Sequence, residues 1–361
     1  MKIWMTGAAV LLTLAGTAQD STTQTQSSPW MISGYAEAYY SFDLNKPESN
    51  SRPGFLYSHN RHNEFNTNLA YIKGAYSGER VRANLALGAG TYMNANYAAE
   101  PGVLKNVFEA NVGYKLSAKS NFWFDLGILP SHIGFESAIS KDCWSLTRSI
   151  LAENSPYFES GARLSYGTNN GQWSFSALAL NGWQRITRVE GNSLMSWGTQ
   201  IMFKPSSGVT LNYSTFFGTD KPDSSRLKRM FHNIYGIFQF NKKIGLTAGF
   251  DIGSEQKTKG SSAGNTWYSP VAIVRFTPAD QWAFALRGEY YSDENGVIIA
   301  TGTPNGFKTS GVSLNADYLP VANLALRIEG RWLKSRDEIF VKDGISKDNS
   351  TAITFSAAVS F

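Results

Sequence analysis

The sequence contains one cysteine, Cys143, in 361 residues. That excludes an internal disulfide framework and any paired-cysteine metal or redox site. It also excludes a lipidated N-terminus, which would need a cysteine near the start. Charged residues make up only 17% of the chain, below the roughly 25% of average soluble domains. No apolar run reaches the roughly 20 residues that a membrane-crossing helix needs. The chain has no GxSxG elbow, no HExxH pair and no glycine loop for phosphate. Its bases alternate with acids at a formal net charge of +5, so no continuous basic patch is present for nucleic acid. A plugged active transporter of about 22 strands needs a longer chain.

Aromatic residues and period-2 alternation are abundant instead. Aromatics are 14% of the chain. Ile32, Gly34, Ala36, Ala38, Tyr40 and Phe42 share one face of a first segment, and Ser33, Tyr35, Glu37, Tyr39 and Ser41 share the other. The same split recurs through Leu211/Tyr213/Thr215/Phe217, Leu246/Ala248/Phe250 and Ile353/Phe355/Ala357/Val359/Phe361. Alternation of this kind is the mark of strands with two unlike faces. About sixteen such segments can be traced, joined alternately by short turns and long polar loops. This pattern predicts an all-β, antiparallel, up-and-down transmembrane barrel over residues 30–361.

Which face meets lipid follows from charge. A charge on the lipid face costs about 2–4 kcal/mol at the midplane. With the aliphatic column outward, Lys73 is the one charged residue left outside, near a strand end where its stem can snorkel. Nine bases (Arg80, Arg82, Lys115, Arg163, Lys204, Arg275, Arg287, Arg327, Arg331) and eight acids (Glu37, Glu109, Asp125, Glu159, Asp251, Glu289, Asp317, Glu329) then point inward. Pro270 falls inside the twelfth segment and predicts a later start or a bulge there.

The N-terminus reads as an export signal over 1–18. Lys2 supplies the charge, Ile3 to Leu14 the apolar stretch, and Gly16-Thr17-Ala18 the small residues before a cleaved bond. A polar leader over 19–29 follows.

Two stretches carry a resemblance. They are Tyr57-Ser58-His59-Asn60-Arg61-His62-Asn63-Glu64-Phe65-Asn66 and the run Gly134 to Gly161; Asn181-Gly182-Trp183-Gln184-Arg185-Ile186 is a third. They resemble the OmpL-like β-barrel porins, a family well represented in Bacteroidota. The resemblance implies an outer-membrane channel and supplies no binding or catalytic residues. The terminal Phe361 is similar to the assembly signal by which outer-membrane proteins meet their insertion machinery.

The expected function is a porin: passive diffusion of small hydrophilic solutes or ions through a water-filled barrel. The third long loop, 131–156, is expected to fold into the lumen. There Ile139, Cys143, Leu146 and Ile150 recur at helical spacing. Its Lys141, Asp142, Arg148 and Glu153 would face a wall with Arg82, Arg163 and Arg287. Opposed charges across a narrow gap would focus a transverse field. Clustering of Arg80/Arg82 and Arg327/Arg331 leans the lumen toward anions, unless these arginines are paired with Glu329, Asp317 or Glu289 and only brace the wall. The alternative is a non-conducting barrel whose external loops are adhesive or structural. A homotrimer is expected by analogy with general porins. No cofactor or metal is implied: His59 and His62 have no third ligand nearby in sequence. Ser131 and His132 are the best candidate for a hydrolase pair, but adjacent residues of a strand face opposite ways.

Overall fold

The computed structural model describes residues 28–361. The expected export signal, and all but the last two residues of the polar leader, lie outside the described residues. Sixteen long strands close one antiparallel barrel. In chain order they are β1 (Trp30–Asp43), β2 (Phe65–Ser77), β3 (Val81–Ala89), β4 (Val107–Lys115), β5 (Asn121–Pro130), β6 (Phe158–Gly167), β7 (Trp173–Leu180), β8 (Ser196–Ser206), β9 (Val209–Gly218), β10 (Arg229–Gln239), β11 (Ile244–Gln256), β12 (Gly264–Ala279), β13 (Trp282–Asp293), β14 (Phe307–Val321) and β15 (Leu324–Ser335). A two-stranded hairpin, β16 (Phe340–Lys342) and β17 (Ile345–Lys347), decorates the last loop. The final strand, β18 (Asn349–Ser360), pairs with both β15 and β1. Closure leaves no free sheet edge, which is the only way strands can satisfy their backbone in lipid.

Short turns lie on one side of the barrel and long loops on the other. The first three long loops, L1 to L3, follow β1, β3 and β5. The outer wall carries the expected aliphatic and aromatic column, with Ile72, Leu85, Val112, Leu126, Leu286 and Leu314 exposed. Ring pairs mark the short-turn rim: Trp30–Tyr76, Trp173–Phe203 and Trp282–Tyr318 have centroids 5.0, 4.1 and 4.8 Å apart. Aromatic girdles at the interfaces are the usual finish of such a wall. Among the described residues no helix is long and apolar enough to cross a membrane.

Lys73 departs from the expected register. The β1–β2 pairing shifts between Glu37 and Ala38, with Glu37 opposite Leu69 and Ala38 opposite Thr67. Asn68 is therefore a bulge. One extra residue flips every later side chain to the other face. Lys73 consequently points inward, where its Nζ lies 2.6 Å from Glu109. Pro270 stays within a continuous strand that starts earlier than expected. The register puts it opposite Phe250 on one side and Tyr290 on the other. Ser269 Oγ donates to the Tyr290 carbonyl at 2.7 Å, supplying the bond that proline lacks.

The seam is closed at Gly34 and Phe361, whose backbones exchange bonds of 2.7 and 3.0 Å. The Phe361 ring lies where a Cβ on Gly34 would be. Glycine is required there so that the terminal ring can lie flat on the outer wall.

The lumen wall and the inward loop

L3, residues 131–157, crosses the barrel interior. Its partners are inward side chains from much of the wall. Gly134 N donates to Asn233 Oδ1 on β10 at 3.1 Å, and Leu146 N to Asn315 Oδ1 on β14 at 3.0 Å. Thr147 N donates to Glu329 on β15 and Ile150 N to Glu289 on β13, both at 2.6 Å. Arg327 donates to the carbonyls of Ser140 and Cys143, and Lys141 Nζ to Ser360 Oγ at 2.9 Å. A buried backbone must find partners for its polar groups, and here the wall carboxylates and amides provide them. The loop does not form the helix suggested by Ile139, Cys143, Leu146 and Ile150. It has a 3-10 turn at Ser140–Asp142 and one α-turn at Ile150–Glu153, capped by Ser149. Wall acceptors outcompete local helical bonding.

The predicted lumen residues separate into two groups. Arg148, Glu153, Arg287, Arg327 and Arg331 are buried, not open to the lumen. Arg148 turns back on its own loop, donating to the carbonyls of Ser137, Ala138 and Leu146 at 2.6 Å each. Glu153 accepts from the backbone of Tyr57 and Ser58, tying L3 to L1. Burial raises the carboxyls of Glu136 and Glu153 above the ordinary range, against the pull of Arg287 and Arg148 respectively. Arg287 meets Glu329 at 2.7 Å, Arg331 meets Glu289 at 2.7 Å, and Arg327 meets Asp317 at 2.7 Å. All three arginines are therefore ion-paired within the wall. Asp142 on the loop is exposed, and Lys141 is half-buried.

The second group stays open. The side chains of Arg82 and Arg163 are 23% and 25% exposed and share one carboxylate, Asp125. Arg82 binds it at 2.7 and 2.6 Å; Arg163 sits farther away at 3.3–3.4 Å. Among the described residues Lys115 has no acidic partner within ion-pair distance. Arg275 is covered by the loop, with its guanidinium 6.0 Å from the centroid of the Trp144 ring.

Two histidines clasp the loops. His132 Nε2 lies 2.8 Å from the Thr215 carbonyl, and Nδ1 lies 2.7 Å from Glu159. Both partners are oxygen acceptors, an arrangement that favours the protonated ring. Burial opposes the charge, but Glu159 outweighs it and the histidine titrates above its ordinary value. Ser131 Oγ contacts Glu159 rather than the ring, so the two do not form a nucleophile–base pair. His59 differs. Its Nε2 meets Glu37 at 3.1 Å while the buried Nδ1 has no partner. Burial lowers its titration despite Glu37. His62 accepts from Asp43 N at 2.9 Å. Among the described residues no cluster could hold a metal ion. Burial also pushes the Cys143 thiol up to about 11, so it is unreactive at neutral pH.

Sequence reading missed the ring at the long-loop end. Inward Leu178, Leu180, Phe216, Phe231, Trp267, Tyr291, Phe307 and Leu333 pack with Phe55 and Leu56 of L1, Ile133 and Ile150 of L3, and Phe340. Alternation placed them inward, but only the loops above them show why aromatic residues belong there. The stretches 57–66 and 134–161, which carried the resemblance, largely build these two inward loops.

No characterised protein matches the chain by sequence. Solved barrels match it by fold. An anion-selective porin from Comamonas acidovorans superposes with a TM-score of 0.59 at 10% identity, covering 92% of this chain and 99% of that one. OmpT of Vibrio cholerae, in a trimer form, gives 0.58 at 10% identity with the same coverage. Salmonella typhi OmpF gives 0.58 at 10%, covering 92% and 97%. Residues 29–361 match the sequence family described as "Putative beta-barrel porin-2, OmpL-like". With its closed lipid-facing barrel and charged lumen wall, the chain belongs to that family of outer-membrane porins.

Proposed function

We propose that the barrel is a passive, weakly anion-preferring diffusion pore whose passage is narrowed by L3. The observation that carries this reading is the imbalance among open lumen charges. Among the described residues Arg82 and Arg163 share one acid, while Lys115 has none within reach. A surplus of one sign along a low-dielectric wall favours the opposite ion. The buried arginines Arg287, Arg327 and Arg331, with Lys141, Asp142, Arg148 and Glu153 of the loop, act by holding L3 in place. The barrel performs no chemistry on its solutes. Export by a signal over 1–18 delivers it to the outer-membrane assembly machinery, with Phe361 as the recognised end.

A homotrimer is proposed through the wall β1 to β5. Its outer face carries a shallow apolar hollow of about 490 Å³, lined by Trp30, Gly74, Ala83, Leu85, Ala110, Val112 and Leu126. Small residues let a second wall approach closely.

Single-channel recording of the refolded protein in a planar bilayer under a salt gradient tests the pore. Discrete ohmic steps with a reversal potential toward the chloride equilibrium value are expected. Silence from a verified folded barrel refutes it and favours the second reading, a non-conducting barrel whose loops bind partners. The apolar cluster under the external loops, and a recess of about 540 Å³ lined by Phe55, Tyr57, Ile298, Thr301 and Phe340, speak for that reading.

A further inference from the structure

We propose that the lumen wall at β3–β6 holds a subsite for solutes that join an anionic group to a flat ring, of the aromatic-carboxylate class. The proposal rests on the pore reading above and names the solutes that the pore would retain.

Arg82 is the centre of the site. Its guanidinium carbon lies 4.2 Å from the centroid of the Trp123 ring. Its Nε and Nη2 hold Asp125 edge-on. One face and one edge of the planar cation are thus occupied, and the side chain still keeps 23% of its exposure. What remains is the opposite face and the Nη1 edge. A guanidinium face stacks readily on aromatic rings, and its edge binds carboxylate. Trp123 acts as a positioning residue that holds the cation flat.

The surroundings supply charge. Arg163 approaches Asp125 at 3.3–3.4 Å, a loose contact that an incoming carboxylate could replace. Lys115 pairs in register with Trp123 and, among the described residues, has no acidic partner in reach. Gly113 lies between Arg82 and Asp125 in register, and a Cβ there would collide with both side chains. Glycine at this point is what allows the cross-strand pair to lie flat along the wall. Two arginines and one lysine against one acid leave a surplus of two positive charges beside a planar binding face.

The test compares three probes on the refolded full-length barrel: benzoate, acetate (charge without a ring) and benzyl alcohol (ring without charge). Each is titrated against chloride conductance in a planar bilayer. Benzoate should block at about fivefold lower concentration than acetate, the size of one stacking contact, and benzyl alcohol should not block. Arg82→Lys keeps the charge and loses the plane. It should abolish the benzoate preference. Trp123→Leu should weaken benzoate block several-fold. Heat-modifiable gel migration confirms that each variant is folded. Equal block by benzoate and acetate, or a preference unchanged in Arg82→Lys, overturns the subsite. A folded barrel that passes no ion defeats the pore reading instead. In that case benzoate binding followed by saturation-transfer NMR in detergent, with acetate as control, decides the subsite separately: preferential binding upholds it and its absence removes it.

Discussion

Replacing Glu329 by alanine should release L3 from the wall without unfolding the barrel. Glu329 is buried and accepts from Thr147 N at 2.6 Å, Thr147 Oγ1 at 2.8 Å and Arg287 Nη2 at 2.7 Å. Removing one partner of a buried ion pair costs about 3–5 kcal/mol, because the other charge is left without compensation. Arg287 keeps Glu289 at 3.4 Å and Glu136 at 3.8 Å, which favours the lower end. About 3 kcal/mol corresponds to a roughly hundredfold rise in the displaced loop. The strand itself is unaffected, since β15 keeps its ladders to β14 and β18. Glu329→Gln retains an acceptor oxygen and loses only the charge, so it should cost about 1 kcal/mol. Single-channel recording should show larger, noisier openings in the alanine variant and an intermediate trace in the glutamine variant. Limited proteolysis in detergent should cut within 131–157 in the same order. Wild-type conductance together with wild-type protease resistance in Glu329→Ala would refute the idea that this carboxylate anchors the loop.

Three further outcomes are expected. The His132 clasp titrates above the ordinary histidine value of 6.5, so its contribution is complete below that pH and fades as pH rises through the folded-state value. Conductance noise should therefore grow as pH rises above the ordinary histidine value, and His132→Gln should remove that pH dependence; identical profiles would discount the clasp. Phe361→Ala uncovers Gly34 and removes the terminal ring from the seam, so the yield of heat-modifiable barrel in the outer membrane should fall severalfold, with the remaining folded fraction melting normally. Mass spectrometry of the outer-membrane form should find Gln19 as the first residue, and an intact Met1 would contradict the export reading.

The barrel was legible because a membrane wall imposes a simple rule on a strand. Lipid rejects charge at every second position, and water accepts it at the others. Arg327, Glu329 and Arg331 beside Leu326, Ile328 and Trp332 obey the rule within one strand. The bulge at Asn68 was not legible, since an inserted residue leaves the composition of the strand unchanged and moves Lys73 to the other face. The interior of L3 was hidden for a different reason. Its backbone bonds to Asn233, Glu289, Asn315 and Glu329, which lie 99 to 182 residues away in sequence. Helical spacing in a loop says nothing about such distant competitors.

Local alternation determined the strands, and the placement of charge along them determined their inward and outward faces, Lys73 excepted. The alternation of short and long connections determined the side bearing the long loops. Which charges stay open was decided by tertiary structure. Arg287 and Arg82 look alike in the sequence, one sealed beneath the loop and the other exposed to the lumen. The difference arises from where L3 lands when the sixteen strands close, because a charge covered by the loop must find ion-pair or hydrogen-bond partners within the protein, whereas one that water still reaches can be solvated on its open side.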